Sequence, residues 1–382
     1  MTIGEFSHLF EVPGHIAYFN TAYNAPLLRA SRQALEVAAG LKSRPWERMP
    51  EHFFQDAEAI RQHCSSLFGG VPDNFAIIPA ASYGVSTAAR IIEPRLRRGD
   101  IILMLEQEFP SNVLPWLRVA AERDAEIVRV ERPEDGNWTQ AVLDRLESRA
   151  RVASLPACHW TDGAQLDLAA ISRACRSRDV VLSLDVTQSL GAVPIDLADV
   201  RPDFMVAAGY KWLLCPYGAS FFYVDSRWHG ARPLEEGWLT RAGSENFAGL
   251  VEYQENYRAG ARRFDVGETC VTTLLPGAIE ALTQIERWGI AKITGELDKI
   301  TGRIERAVED LGYGVLARDH RSPHILGLTC KEPQRLIGLL RANNVYVSQR
   351  GEAVRIAPHL HITEANIERL IESFHQAVSV AR

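Results

Sequence analysis

Two neighbouring stretches, VVLSLDVTQSLGAVPIDL (180–197) and FMVAAGYKWLLCPYGASFFYV (204–224), decide the fold. VVLSLD (180–185) is a short apolar run that ends on Asp185, and the residues after it open a turn. DFMVAA (203–208) and GASFFYV (218–224) read as two further strands, joined by a segment that carries Lys211. The apolar span Phe204–Val224 has borderline length for a membrane helix, but it contains Lys211, Pro216 and two glycines, which favours two buried strands and a turn. Runs that are apolar throughout, rather than alternating, fit a sheet covered on both faces.

The same pattern extends outward. Further strands are expected at 75–80, 100–105, 125–130 and 151–156, with helical patterns between most of them at Ser82–Ile92, Asn112–Ala121, Thr139–Glu147 and Leu168–Arg178. Strands alternating with helices predict an α/β domain with a mainly parallel, seven-stranded sheet flanked by helices, here assigned to 15–275. Near residue 276 the character changes. Pro276-Gly277 opens a long helical pattern reaching about Leu311. Short strands (Ile325–Thr329, Tyr346–Ser348, Val354–Ala357) and two helices (Glu332–Ala342, Thr363–Ser379) follow. They predict a smaller α+β domain at 276–382, with residues 1–14 as a possible addition to it.

Bulk properties exclude several classes. The chain has 382 residues, is 46% hydrophobic and 24% charged, and carries a net charge of −6. That is ordinary for a soluble globular protein and lacks the basic footprint expected of a nucleic-acid or membrane-surface partner. The six cysteines (Cys64, Cys158, Cys175, Cys215, Cys270, Cys330) show no CxxC spacing. They read as reduced, mostly buried thiols, with no metal site, and with no signal peptide at MTIGEFSHLF the expected location is cytoplasmic. No GxGxxG follows an early strand, so a dinucleotide-binding fingerprint is missing.

Two residues carry the chemistry. Asp185 closes a strand at the edge where α/β sheets place their ligands, either as a helix cap or as the partner of a pyridinium nitrogen. Lys211 follows an apolar strand, so desolvation favours its neutral amine, unless it snorkels outward. Asp185-x-x-Gln188, with Gly-Tyr-Lys-Trp placing the lysine 26 positions after the aspartate, resembles the class V aminotransferase family of fold-type I enzymes. That family includes cysteine desulfurases, kynureninases and isopenicillin N epimerase-like proteins. The resemblance spans about residues 15–375 and rests on four separated segments in order.

What the resemblance implies is specific. Pyridoxal 5'-phosphate (PLP) is held as a Schiff base on Lys211, with Asp185 on the ring nitrogen and Gln188 on the ring oxygen. PAASYGVSTAA (79–89) supplies a phosphate cradle at a helix N-terminus, with Ser82 and Tyr83 at the matching positions. Phe109 in EQEFPSNVLPW (106–116) matches a ring-stacking residue, and Tyr210 a phosphate-binding tyrosine. Arg355 in VYVSQRGEAVRIAPHLHIT (345–363) matches the arginine that forks onto an α-carboxylate, with Arg350 a weaker candidate. His159 or Trp160 matches a side chain near the substrate, and Asn24, with Tyr23, an entry segment of the pocket. The chain departs from the family where Ala208 and Tyr210 replace a frequent Ser and His, and where Glu268 replaces a frequent Thr. Cys330 closes a predicted strand, which disfavours a persulfide-forming role. The implied activity acts on a small α-amino acid through an external aldimine and α-carbanion, in a homodimer. Amino transfer leads, with β-elimination or C–S lysis, epimerisation and kynureninase-like cleavage as alternatives. A non-catalytic binding protein on the same fold is the rival from another class.

Overall fold

The computed structural model describes residues 1–269 and 271–381; Cys270 lies outside the described residues. The seven expected strands form within two residues of their predicted ends: β1 Phe75–Ile78, β2 Ile101–Leu105, β3 Glu126–Val130, β4 Ala150–Pro156, β5 Val181–Asp185, β6 Phe204–Ala208 and β7 Ser220–Val224. They make one sheet in the order β1-β7-β6-β5-β4-β2-β3. Only β7 runs against its neighbours, β6 and β1; the other pairs are parallel. The span 204–224 is thus an antiparallel strand pair, and no helix among the described residues is long and apolar enough to cross a membrane.

The sheet divides two apolar layers. One holds Trp116, Phe204 and Phe222, the other Trp212, Leu184 and Phe221. Helices α1 Arg29–Lys42 and α2 Gln55–Phe68 precede the sheet, α3 Ala81–Ile92 follows β1, and α4 Pro110–Arg123 follows β2. The free edge of β1 is covered by a loop: Ile77 N–H donates to Asp265 Oδ1 at 2.8 Å, and Val266 N–H to Ile77 O at 3.0 Å. Arg61, fully buried, pairs with Asp265 at 2.5 Å and fixes that cover in place.

The helical pattern expected from Pro276 to Leu311 is two helices, α5 Leu275–Trp288 and α6 Ile290–Glu309. Gly289 separates them at φ +76°, a left-handed conformation that glycine adopts freely. The expectation of one helix missed the break because apolar residues sit on both sides of Gly289 in helical spacing. α5 packs across α1 and α2.

A second, four-stranded antiparallel sheet follows: β8 Gly314–Val315, β9 Leu326–Thr329, β10 Ser348–Arg350 and β11 Ala353–Ile356, in the order β10-β11-β9-β8. The N-terminal segment joins this half. Ala17–Tyr18 pairs in parallel with Val345–Tyr346, and the rings of Phe6 and Phe10 lie 5.4 and 6.3 Å from Trp288. Cys64, Cys158, Cys175 and Cys215 are buried and free, and Cys330 is partly buried.

Candidate active site

A cavity of about 230 Å³ lies at the carboxyl ends of the central strands. Asp185, the last residue of β5, lies beside Pro156 of β4 and Val206 of β6. Thr187 folds the next turn back: its N–H donates to Asp185 Oδ1 at 2.9 Å, and its hydroxyl accepts from Ala208 N–H at 3.0 Å. Asp185 borders the cavity while only 8% exposed. Burial raises its pKa, and Thr187 and the Lys211 ammonium oppose that rise.

Lys211 comes three residues beyond β6, after a turn that only glycine can make. A Cβ on Gly209 would lie 2.4 Å from Ala219 O. The Lys211 side chain borders the same cavity and is 6% exposed. Its Nζ sits 5.3 Å from the Phe109 ring centroid and 5.6 Å from that of Tyr210. Burial pushes the amine down to about 8; Asp185 resists that fall, while Arg355 and Arg350 add to it.

Phe109 caps α4 and meets Trp160 edge-on at 5.3 Å. Ser82, in the first turn of α3, borders the cavity with Ala80 and Ala81. Tyr83 does not: its phenol hydrogen-bonds Glu235 and is shifted upward by burial and that carboxylate. Tyr210 borders the cavity with its ring stacked on Tyr217 at 4.1 Å. Gln188 also borders it. Its Nε2 donates to Ala22 O at 3.0 Å and its Oε1 accepts from Trp212 Nε1 at 3.0 Å, leaving one amide N–H unspent.

Arg355 is 1% exposed. One terminal nitrogen donates to Trp160 O, whereas Nε and Nη2 are buried without a partner. Burial pushes the guanidinium down to about 9, and Arg350 adds to that. Two unmet buried donors on one planar group are costly unless an anion meets them.

His159 and Asn24 stand apart from the cavity. His159 stacks on Trp138 at 5.5 Å, with Nε2 against Glu106 O at 3.1 Å and Nδ1 against the Thr161 hydroxyl at 2.7 Å. Both ring nitrogens are spent on the fold, and its neighbour Trp160 takes the cavity wall. Asn24 is exposed, and its backbone oxygen accepts from Tyr18 Oη at 2.7 Å.

Sequence reasoning missed Glu108 and Cys158, which border the cavity. Glu108 Oε1 accepts from Phe109 N–H at 2.5 Å, while Oε2 is buried without a partner. Burial lifts this carboxyl to about 8; the Phe109 N–H opposes the rise and Asp185 adds to it. The Cys158 thiol, pushed up to about 11 by burial, lies 3.5 Å from Gln188 O and 3.3 Å from Ser189 Oγ. A glutamate beside a predicted stacking ring was the only signal for the first; nothing in the sequence marked the second.

A model of the Aminotransferase class-V family matches residues 21–374. The chain belongs to that family. Among similar proteins, an isopenicillin N epimerase of Amycolatopsis lactamdurans is 23% identical over 94% of this chain and 95% of its own. A probable cysteine desulfurase of Vibrio cholerae is 27% identical over 79% and 75%. In three dimensions, an apo cysteine desulfurase from Thermococcus onnurineus superposes with TM-score 0.86 at 15% identity, covering 100% of this chain and 99% of its own. The cystine C–S lyase C-DES, in complex with its product cysteine persulfide, gives 0.84 at 20% identity over 94% and 97%. At those identities the superpositions establish the fold. Enzymes of this class V family depend on PLP, and this chain is one of them.

The residues present fit that group. The cavity offers a desolvated amine, a buried carboxylate held on one side by Thr187, an aromatic ring and a helix N-terminus. Those are the partners that an aldehyde, a protonated ring nitrogen, a flat heterocycle and a phosphate require.

Proposed function

We propose that this enzyme removes the α-proton of a small amino acid, with Lys211 as the base and Arg355 as the holder of the α-carboxylate. The observation that carries the reading is a single buried constellation: Lys211 and Asp185 in one cavity, beside an arginine with two unmet donors. When bound, PLP supplies an aldehyde for Lys211 and a ring that accepts the electron pair left behind by the proton. Asp185 would hold the ring nitrogen, Ser82 and the first turn of α3 the phosphate, Phe109 one face of the ring, and the spare Gln188 N–H the ring oxygen. Tyr210 would reach the phosphate with its hydroxyl.

Arg355 orients the substrate. Its Nε and Nη2 lie on one edge of the guanidinium, so they can meet both carboxylate oxygens in parallel. With its amine free and the substrate held by Arg355, Lys211 would take the α-proton and could return it. Burial of the amine favours the neutral form that this step needs.

Transfer of the amino group is the outcome we favour. Each described cysteine has its pKa raised, so none offers the ready thiolate that a persulfide relay would use. β-Elimination is the second reading, favoured by the likeness to a cystine C–S lyase. We further propose a homodimer, because Trp46, Met49, Val251 and Tyr253 are exposed apolar side chains. A domain boundary near residue 275 and a cytoplasmic location complete the reading.

The test uses PLP-loaded protein and single amino acids in D₂O, read by NMR. We expect α-deuterium incorporation, and its loss in Lys211→Ala with the circular dichroism unchanged. Exchange that persists in this variant would remove Lys211 as the base. Turnover only when a 2-oxo acid is added marks amino transfer; pyruvate and ammonia released without an acceptor mark elimination.

A further inference from the structure

The β10–β11 hairpin presents more positive charge than one α-carboxylate needs. Ser348 pairs with Arg355, and Arg350 with Ala353, across a two-residue turn at Gly351-Glu352 where Gly351 has φ +55°. Residues two apart on a strand share a face, so Arg350 lies on the same face as Ser348 and therefore as Arg355. The two arginines are diagonal neighbours on a tight hairpin, and each lowers the pKa of Lys211.

Arg350 lacks an acidic partner. Its guanidinium carbon lies 5.8 Å from the ring centroid of Tyr23 and 5.8 Å from that of Trp160. Its hydrogen bond goes to the neighbouring Gln349 O, at 2.7 Å. Among the described residues no carboxylate pairs with it. Arg132 provides the contrast: it and Arg350 border a separate cavity of about 590 Å³, but Arg132 is bound to Asp162 at 2.6 Å. Glu134 and Glu352 also border that cavity, and neither pairs with Arg350. Arg355 alone can satisfy both oxygens of an α-carboxylate, because its free Nε and Nη2 form a parallel fork. Arg350 is left for a second anion.

We propose that Arg350, between Trp160 and Tyr23, binds the side-chain carboxylate of an acidic amino-acid substrate whose α-carboxylate is held by Arg355. This rests on the reading of Arg355 given above and narrows the substrate class. The aromatic pair desolvates the guanidinium, which strengthens its attraction for an anion and penalises a neutral side chain.

The experiment measures binding rather than turnover. Calorimetry on PLP-loaded protein compares glutarate and succinate with glutaramate (the half-amide of glutarate) and butyrate. The expected result is that at least one dicarboxylate binds about tenfold or more tightly than glutaramate. Arg350→Gln should abolish that advantage while leaving glutaramate and butyrate within about twofold, and Arg350→Lys should restore part of it. Arg355→Gln should weaken all four. Equal weakening of all four in Arg350→Gln would assign Arg350 to the α-carboxylate and overturn the proposal while leaving Arg355 in place. A wild-type protein that does not prefer the dicarboxylates would overturn it too. If Arg355→Gln changes nothing, the parent reading fails and the proposal with it.

Discussion

Asp185 and Lys211 lie 26 positions apart in the chain, yet both border one cavity because they leave adjacent parallel strands at the same edge. Asp185 lies beside Val206 in the sheet, and the turn at Gly209 brings Lys211 back over the strand end. Neither group is comfortable there by itself: burial raises the carboxyl pKa and lowers that of the amine, and each offsets the other's change. Burial disfavours the charged form of both groups, and each charge supports the other.

The lowered pKa of Lys211 predicts how the protein takes up its cofactor. Capture of an aldehyde needs the neutral amine, so the rate at which PLP-free protein binds added PLP should rise with pH and level off above about 8. Stopped-flow absorbance from about pH 6 to about pH 9, a window that brackets the lowered value but not the ordinary lysine one, measures it. A rate that climbs steadily toward the ordinary lysine pKa would show that the amine is solvated.

Glu108 predicts a gain in stability on substitution. Its folded-state pKa is near 8, above the ordinary carboxyl value, so the native state holds a proton that the unfolded chain releases. Stability is therefore full below the unfolded pKa and is lost as pH rises toward 8. Glu108→Gln keeps the shape and removes the penalty. Its advantage in urea unfolding should grow between about pH 5 and about pH 8 and reach a few kcal/mol, since each tenfold change in proton affinity is worth about 1.4 kcal/mol. An advantage independent of pH would contradict the burial argument.

Three buried histidines predict the acid limit. His324 meets Gln188 O at 2.5 Å, His361 meets Tyr18 O at 2.7 Å, and His359 packs against Trp212 at 6.0 Å between centroids. Burial pushes them down to about 4, 4 and 3 respectively. Their folded pKa values lie below the unfolded one, so the unfolded chain binds protons that the native state refuses. Stability should fall as pH drops from about 6.5 toward 4, by roughly 3 kcal/mol for each of these rings. Thermal midpoints measured across that window should show the decline, and His361→Gln should flatten it.

Much of the site could be read before any tertiary structure. Asp185 and Lys211 border the cavity at strand ends that apolar runs mark in the sequence, and Gln188, Ser82, Phe109 and Tyr210 border it as the family resemblance implied. Tyr83, His159 and Asn24 do not: the Tyr83 phenol turns to Glu235, and the reasons for the other two differ. The stacking of His159 on Trp138 and its bonds to Glu106 and Thr161 join three separate segments, which no local pattern reveals. Asn24 sits on a turn that follows the pairing of Ala17–Tyr18 with Val345–Tyr346, and the Tyr18 hydroxyl holds its backbone oxygen. Glu108 escaped notice because nothing beside it in sequence announces that β5 ends nearby.

By itself the sequence determined the α/β class, the seven strands and the acid–amine pair, since apolar runs, turn residues and strand ends are encoded within a few residues of one another. The tertiary structure alone decided the strand order, the break at Gly289 and the shared face of Arg350 and Arg355. Those depend on burial and on hydrogen bonds between distant segments, and only the folded chain sets the desolvation that moves the pKa values of Lys211, Glu108 and the three histidines.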